Sequence, residues 1–182
     1  MHSVFIAGSR ALSKLNVQVK QRIDNILRKQ LTVLVGDANG ADKAVQRYLA
    51  ECGYQQVIIY CMDTCRNNMG NWPTRSHSAA PGVKRDRHYY GIKDRAMAKD
   101  ASYGFMLWDG TSKGTLTNVI NLLDHEKKVL LFSAAKKQFF TLHTSADLDQ
   151  TLRANGIKDV AAVLASLESK DMTTGHFTGL YP

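Results

Sequence analysis

Gly110, Thr111, Ser112, Gly114 and Thr115 crowd into the stretch WDGTSKGT, between one apolar run and the next. Two glycines let a ligand approach the backbone, and the chain then enters a helix. The first amides of a helix lack partners and the macrodipole is positive there, so this arrangement offers a seat for a phosphate. The hydroxyls of Ser112 and Thr115 either complete that shell or cap the helix. A second glycine turn, Gly8-Ser9-Arg10, adds a hydroxyl donor and a guanidinium fork suited to phosphate oxygens. The third, GDANGAD, starts with Gly36 and Asp37. Asn39 and Asp42 have the spacing of a capping pair at a helix start, which leaves Asp37 facing any ligand. Asp109, just ahead of the first loop, is the other carboxylate in reach. It is either a turn residue or a group able to act on a bound molecule.

Such turns need strands behind them, and the chain supplies strands alternating with helices, the signature of a parallel α/β sheet. SVFIAG (3–8), TVLVG (32–36), QVIIYC (56–61), YGFMLW (103–108) and KVLLF (128–132) read as five strands. Between them Val19, Ile23, Ile26 and Leu27 recur at helical spacing. So do Ala41, Ala44, Val45, Tyr48 and Leu49, and again Leu116, Val119, Ile120 and Leu123. A further helix is expected from Arg87 or His88 to Asp100. The glycine turns follow the first, second and fourth strands, at the carboxyl ends where ligands of open α/β sheets bind. No G-x-x-x-x-G-K-[ST] and no G-x-G-x-x-G after the first strand is present, which argues against a P-loop and a dinucleotide dehydrogenase.

Residues 62–87 break the rhythm. They hold all but one of the prolines and open a basic segment. From Arg66 to Asp100 there are eight Lys or Arg against three Asp, so this stretch carries five of the chain's eight net positive charges. An excess of this kind implies an anionic partner, or a solvated loop. Trp72, Tyr89 and Tyr90 lie among Arg75, Lys84, Arg85 and Arg87, where aromatics can stack bases while the cations neutralise phosphates; alternatively Tyr89 and Tyr90 begin a helix and one packs inward.

The 182 residues suit one domain with a small appendage. No apolar run is long enough for a membrane span. MHSVFIAGSR reads as a strand rather than an export signal, so the expected location is cytoplasmic and the three cysteines are expected as reduced thiols. Cys61, Cys65 and His77 lack a fourth ligand, so no metal is expected. Past residue 135, QFFTLH reads as an edge strand. SADLDQTLRAN, capped by Ser145, and IKDVAAVLASLES read as short helices. The aperiodic tail ends in GHFTGLYP, an aromatic segment of the sort an interaction module offers a partner.

Taken together, FIAGSR, VGDANGAD and KDRAMAKDASYGFMLWDGTSKGT resemble the SLOG superfamily, and within it the YspA-like branch of bacteria and phages, over roughly residues 3–132. The resemblance implies a Rossmann-like fold: residues 1–135 as the nucleotide-binding domain, with an insert at 62–87, and residues 136–182 as a C-terminal extension. The superfamily includes the Lonely-guy phosphoribohydrolases, which cleave the base from a nucleoside monophosphate. It also includes the DNA-processing A proteins, which bind single-stranded DNA, and domains proposed to sense nucleotide-derived signals. Lys93, ahead of Met97, falls where the phosphoribohydrolases carry an arginine, and Gly114 and Thr115 match their G-T. Asn118 stands where they carry a glutamate. Base–ribose cleavage builds positive charge that a carboxylate must meet, and Asn118 cannot do so. The three glutamates, Glu51, Glu126 and Glu168, are expected away from the crevice. Holding a nucleotide or nucleotide-derived molecule, with no cofactor, is therefore the expected function. Hydrolysis through Asp109 or Asp37 and binding of single-stranded nucleic acid are the alternatives. The resemblance also implies a homo-oligomer.

Overall fold

In the computed structural model, which describes residues 2–168, the sheet runs β1 (Ser3–Gly8), β2 (Thr32–Gly36), β3 (Val57–Met62), β4 (Thr74–His77), β5 (Tyr103–Trp108), β6 (Lys128–Ser133) and β7 (Gln138–Leu142). Their order across the sheet is β4-β3-β2-β1-β5-β6-β7, parallel throughout except for the antiparallel edge strand β7. The arrangement is Rossmann-like. The order reverses between β1 and β5, and that places the switch point where the first and fourth predicted strands lie side by side.

The apolar runs form strands because both faces of the sheet are covered, so the central strands need no polar alternation. Phe5, Leu34, Tyr60, Met106 and Leu131 point to one face, under α3 (Arg87–Asp100), α4 (Lys113–Asp124), α5 (Ser145–Ala154) and α6 (Val160–Glu168). Ile6, Val33, Ile59, Phe105 and Leu107 point to the other, under α1 (Val17–Arg28) and α2 (Ala41–Glu51). Among the described residues no helix is long and apolar enough to cross a membrane. The tail ending in GHFTGLYP lies outside the described residues.

Four local expectations are corrected. β4 lies inside the segment read as aperiodic, pairing in parallel with β3 from Ile59↔Thr74 to Met62↔His77. Its crossover, residues 63–73, is irregular rather than helical. The cap of α2 is Gly40, at φ 84°, and not Asn39; no side chain caps that helix. The cap of α5 is Thr144, in a reciprocal box with Asp147, one residue before Ser145. Finally, Cys61 and Cys65 are joined in a disulfide rather than reduced; only Cys52 is free. The end of β3 and the first turn of the crossover bring the two sulfurs together, a proximity that sequence spacing alone does not reveal.

Candidate functional site

A cleft of about 510 Å³ opens at the carboxyl ends of β1, β2 and β5, a volume in the range of small-molecule sites. Gly8, Ser9, Arg10, Lys93, Asp109, Ser112, Gly114, Thr115 and Asn118 all line it. Asp37, Gly36, Gly110 and Thr111 do not.

The loop from β5 into α4 is held by Asp109. Its Oδ1 accepts the amides of Thr111 and Ser112 at 2.9 and 2.7 Å, and its Oδ2 accepts the Ser9 hydroxyl at 2.6 Å. Partial burial pushes the Asp109 carboxyl upward, but the bonds from Ser9, Thr111 and Ser112 outweigh it and hold the group below the usual carboxylate range. Two amides of the expected phosphate seat are therefore closed by an internal carboxylate. Ser112 is the cap of α4: its hydroxyl accepts the Thr115 amide at 3.3 Å and the Thr115 hydroxyl at 3.0 Å. What the loop leaves open are the amides of Lys113 and Gly114, to which no acceptor comes among the described residues, and a Cβ at Gly114 would meet open space. Gly110 is required for a different reason, a φ of 98° in the turn itself. Gly8 is required for packing, since a Cβ there would overlap the Leu107 carbonyl and Ala41.

Beneath the cleft lies a buried charge cluster. Asp37, 1% exposed, accepts three bonds from Arg66: from the backbone amide and Nε at 3.0 Å each, and from Nη2 at 2.7 Å. Burial pushes Asp37 upward, and Arg66 together with Lys93 more than reverses this, leaving it below the ordinary value. Lys93 is 3% exposed and lies 2.7 Å from Asp94 and 3.9 Å from Asp37. Burial pushes its amine downward; Asp94, Asp42 and Asp37 more than reverse this and hold it above the ordinary lysine value. Asp42 turns inward from the first turn of α2, accepts the Ala38 amide at 3.2 Å and lines the cleft. Burial raises its carboxyl to about 6, with Lys93 as the main opposing influence. Gly36 is glycine because a Cβ would overlap Asp42 Oδ2 and crowd Lys93 Nζ.

The insert supplies Arg66, Arg85 and Arg87 to the outer wall, and α3 adds Tyr90. Gln46, fully buried, ties its start to β2: its amide donates to the Gly36 carbonyl at 2.8 Å and its oxygen accepts the Met69 amide at 3.1 Å. The Arg66 guanidinium lies 4.4 Å from the centre of the Tyr90 ring, and Arg10 reaches within 5.9 Å of it. Arg87 donates to the Thr117 hydroxyl on α4, one turn beyond Lys113. Tyr89 packs inward, its hydroxyl donating to Asp63. Trp72 is 3% exposed, with its indole N–H donating to the Tyr54 carbonyl at 2.8 Å, so it cannot stack a base. Tyr90 is what remains of the expected aromatic set.

Sequence reasoning missed Arg66 and Asp94 as site residues and read Asp42 as a cap. The basic run pointed to Arg66, but only its contact with Asp37 places it at the cleft.

In fold, the chain is similar to the molybdenum cofactor carrier protein from Chlamydomonas reinhardtii, with a TM-score of 0.51 and 17% identity over 90% of this chain and 98% of that one. No family model matches the chain, and no curated protein matches it in sequence. The structural likeness establishes a shared Rossmann-like architecture.

Proposed function

We propose that the protein holds a nucleotide or nucleotide-derived ligand in this cleft, as a SLOG-type binding domain of the YspA-like branch. The observation that carries the reading is the start of α4, where the amides of Lys113 and Gly114 are open and Gly114 lines the cleft, with Arg87 and Arg10 lining the same cleft. A helix start with free amides and flanking guanidiniums stabilises a phosphate through both dipole and charge. Tyr90 supplies an aromatic face for a base. Holding is favoured over cutting because the two carboxylates first considered are committed elsewhere: Asp109 to three donors and Asp37 to Arg66. A structural neighbour named as a cofactor carrier is in keeping with a holding role. Calorimetry against AMP, ADP, NAD and ADP-ribose at low salt is expected to give saturable binding to at least one, weakened about tenfold or more by Arg87→Ala with Arg10→Ala. Absence of heat with all four would sink the proposal.

A second reading, N-glycoside hydrolysis, is favoured by one observation. Asp42 lines the cleft with its carboxyl near 6, suited to proton transfer near neutral pH. Incubation with nucleoside monophosphates separates the two: free base that disappears in Asp42→Asn supports cleavage, and intact nucleotide supports holding.

A further inference from the structure

A second cavity, of about 560 Å³, lies at the opposite end of the sheet from the cleft, between α1 and the starts of β1, β5 and β6. On this face α1 and α2 are the helices that contribute to the core among the described residues, and Leu130 and Phe139 are half-buried while Tyr103 is 39% exposed. The floor is apolar: Val4, Ile26, Phe105 and Leu130. The walls are cationic. Arg22, Asn25 and Ile26 on α1 and Lys29 at its C-cap follow one stripe at i, i+3, i+4, i+7, and Lys128 lines the same groove from β6. Arg22 lies over Phe139 at 5.3 Å. No carboxylate is among the lining residues, in contrast to the cleft, where Asp42, Asp86, Asp94 and Asp109 balance the arginines.

We infer that this groove docks an acidic segment of a partner protein that also carries apolar side chains. Charge complementarity selects the occupant. Seven positions along α1 and its C-cap separate Arg22 from Lys29 by roughly 10 Å, and Lys128 stands on the other wall. The positive charge is therefore spread along the groove rather than gathered at one point, as a single anionic headgroup would require. A second copy of this chain fits poorly: a two-fold contact through this groove would set the cationic patch of Arg22, Lys29 and Lys128 against the same patch of the other copy, on a protein of net charge +8. The chain's own residues after α6 carry one lysine and one aspartate, too little negative charge to match the walls.

The test uses the full chain and a fluorescein-labelled dodecapeptide alternating glutamate and leucine, with a lysine–leucine peptide as control. Anisotropy is expected to rise saturably with the acidic peptide alone and to weaken with salt. Saturating AMP should leave it unchanged, because the cleft is at the other end of the sheet. The triple variant Arg22→Glu, Lys29→Glu, Lys128→Glu should weaken binding about tenfold or more. Should circular dichroism show the triple variant unfolded, Lys128→Glu alone, at an exposed strand start, should weaken it about threefold. Binding of both peptides alike, of neither, or of the acidic peptide to the variants with unchanged affinity would overturn the inference. So would sedimentation showing a dimer that the charge reversals dissociate, which would make a second copy the occupant. Binding of dodecanoate without the peptide would overturn it in favour of a small amphiphile.

Discussion

Replacing Asp42 by asparagine isolates the cleft carboxyl whose proton affinity ends above the ordinary value, because burial outweighs its partners. Its value moves from 3.8 to about 6 on folding, so the folded state binds the proton more tightly than the unfolded chain. The sign follows from that: Asp42 costs nothing when both states are protonated, below about pH 4, and its full penalty applies above about pH 6. A shift of that size corresponds to about 3 kcal/mol at pH 7.5, of which about half is recovered at pH 5. Asp42 is 6% exposed, so solvent screening reduces this little. The charged groups facing it are Lys93, Asp94, Asp37 and Arg66, and Lys93 keeps two carboxylate neighbours when Asp42 is gone. Urea unfolding of the wild type and Asp42→Asn at both pH values gives the double difference directly. Acidification should favour the wild type over the variant by about 1 kcal/mol. Parallel profiles for the two proteins would refute the placement of Asp42 as a buried, largely uncompensated carboxylate.

Other substitutions probe the elements that build the cleft. Gly8→Ala pushes a methyl into the Leu107 carbonyl and Ala41, and should cost about 2–3 kcal/mol in urea unfolding. Ser112→Ala removes the cap of α4 and should cost about 1 kcal/mol; because Asp109 still clasps the loop, nucleotide affinity should fall less than stability suggests. Asp37→Ala strips Arg66 and Lys93 of a buried partner and should cost about 3 kcal/mol by the same measurement, the half-exposed Arg66 keeping it at the low end. The folded Asp37 carboxyl is depressed, so its contribution is complete above about pH 4 and lost as pH falls through its folded value. Wild type and Asp37→Ala should therefore converge in stability in acid.

The apolar strands and the helices between them were legible because a doubly covered parallel sheet writes itself as continuous runs of Val, Ile, Leu and Phe. β4 was not: TRSH has three exposed residues in four, an edge strand specified by its pairing with β3 rather than by its own pattern. The cleft was partly legible. Glycines after strands mark turns, but the reason for each glycine differs, and only Gly114 faces open space; Gly8 and Gly36 make room for protein atoms. Asp42 matched a capping spacing, yet Gly40 takes the cap position and frees Asp42 to turn inward toward Lys93. Arg66 owes its place to Asp37, twenty-nine residues away, a pairing that no local pattern carries.

The central claim, that a nucleotide phosphate sits on the open amides at the start of α4, is tested most directly by amide-resolved NMR during titration with AMP. The Lys113 and Gly114 resonances are expected to move saturably, while those of Thr111 and Ser112, already bonded to Asp109, move less. Saturable shifts confined to the outer insert around Arg75 and Lys84, or none at Gly114, would contradict it.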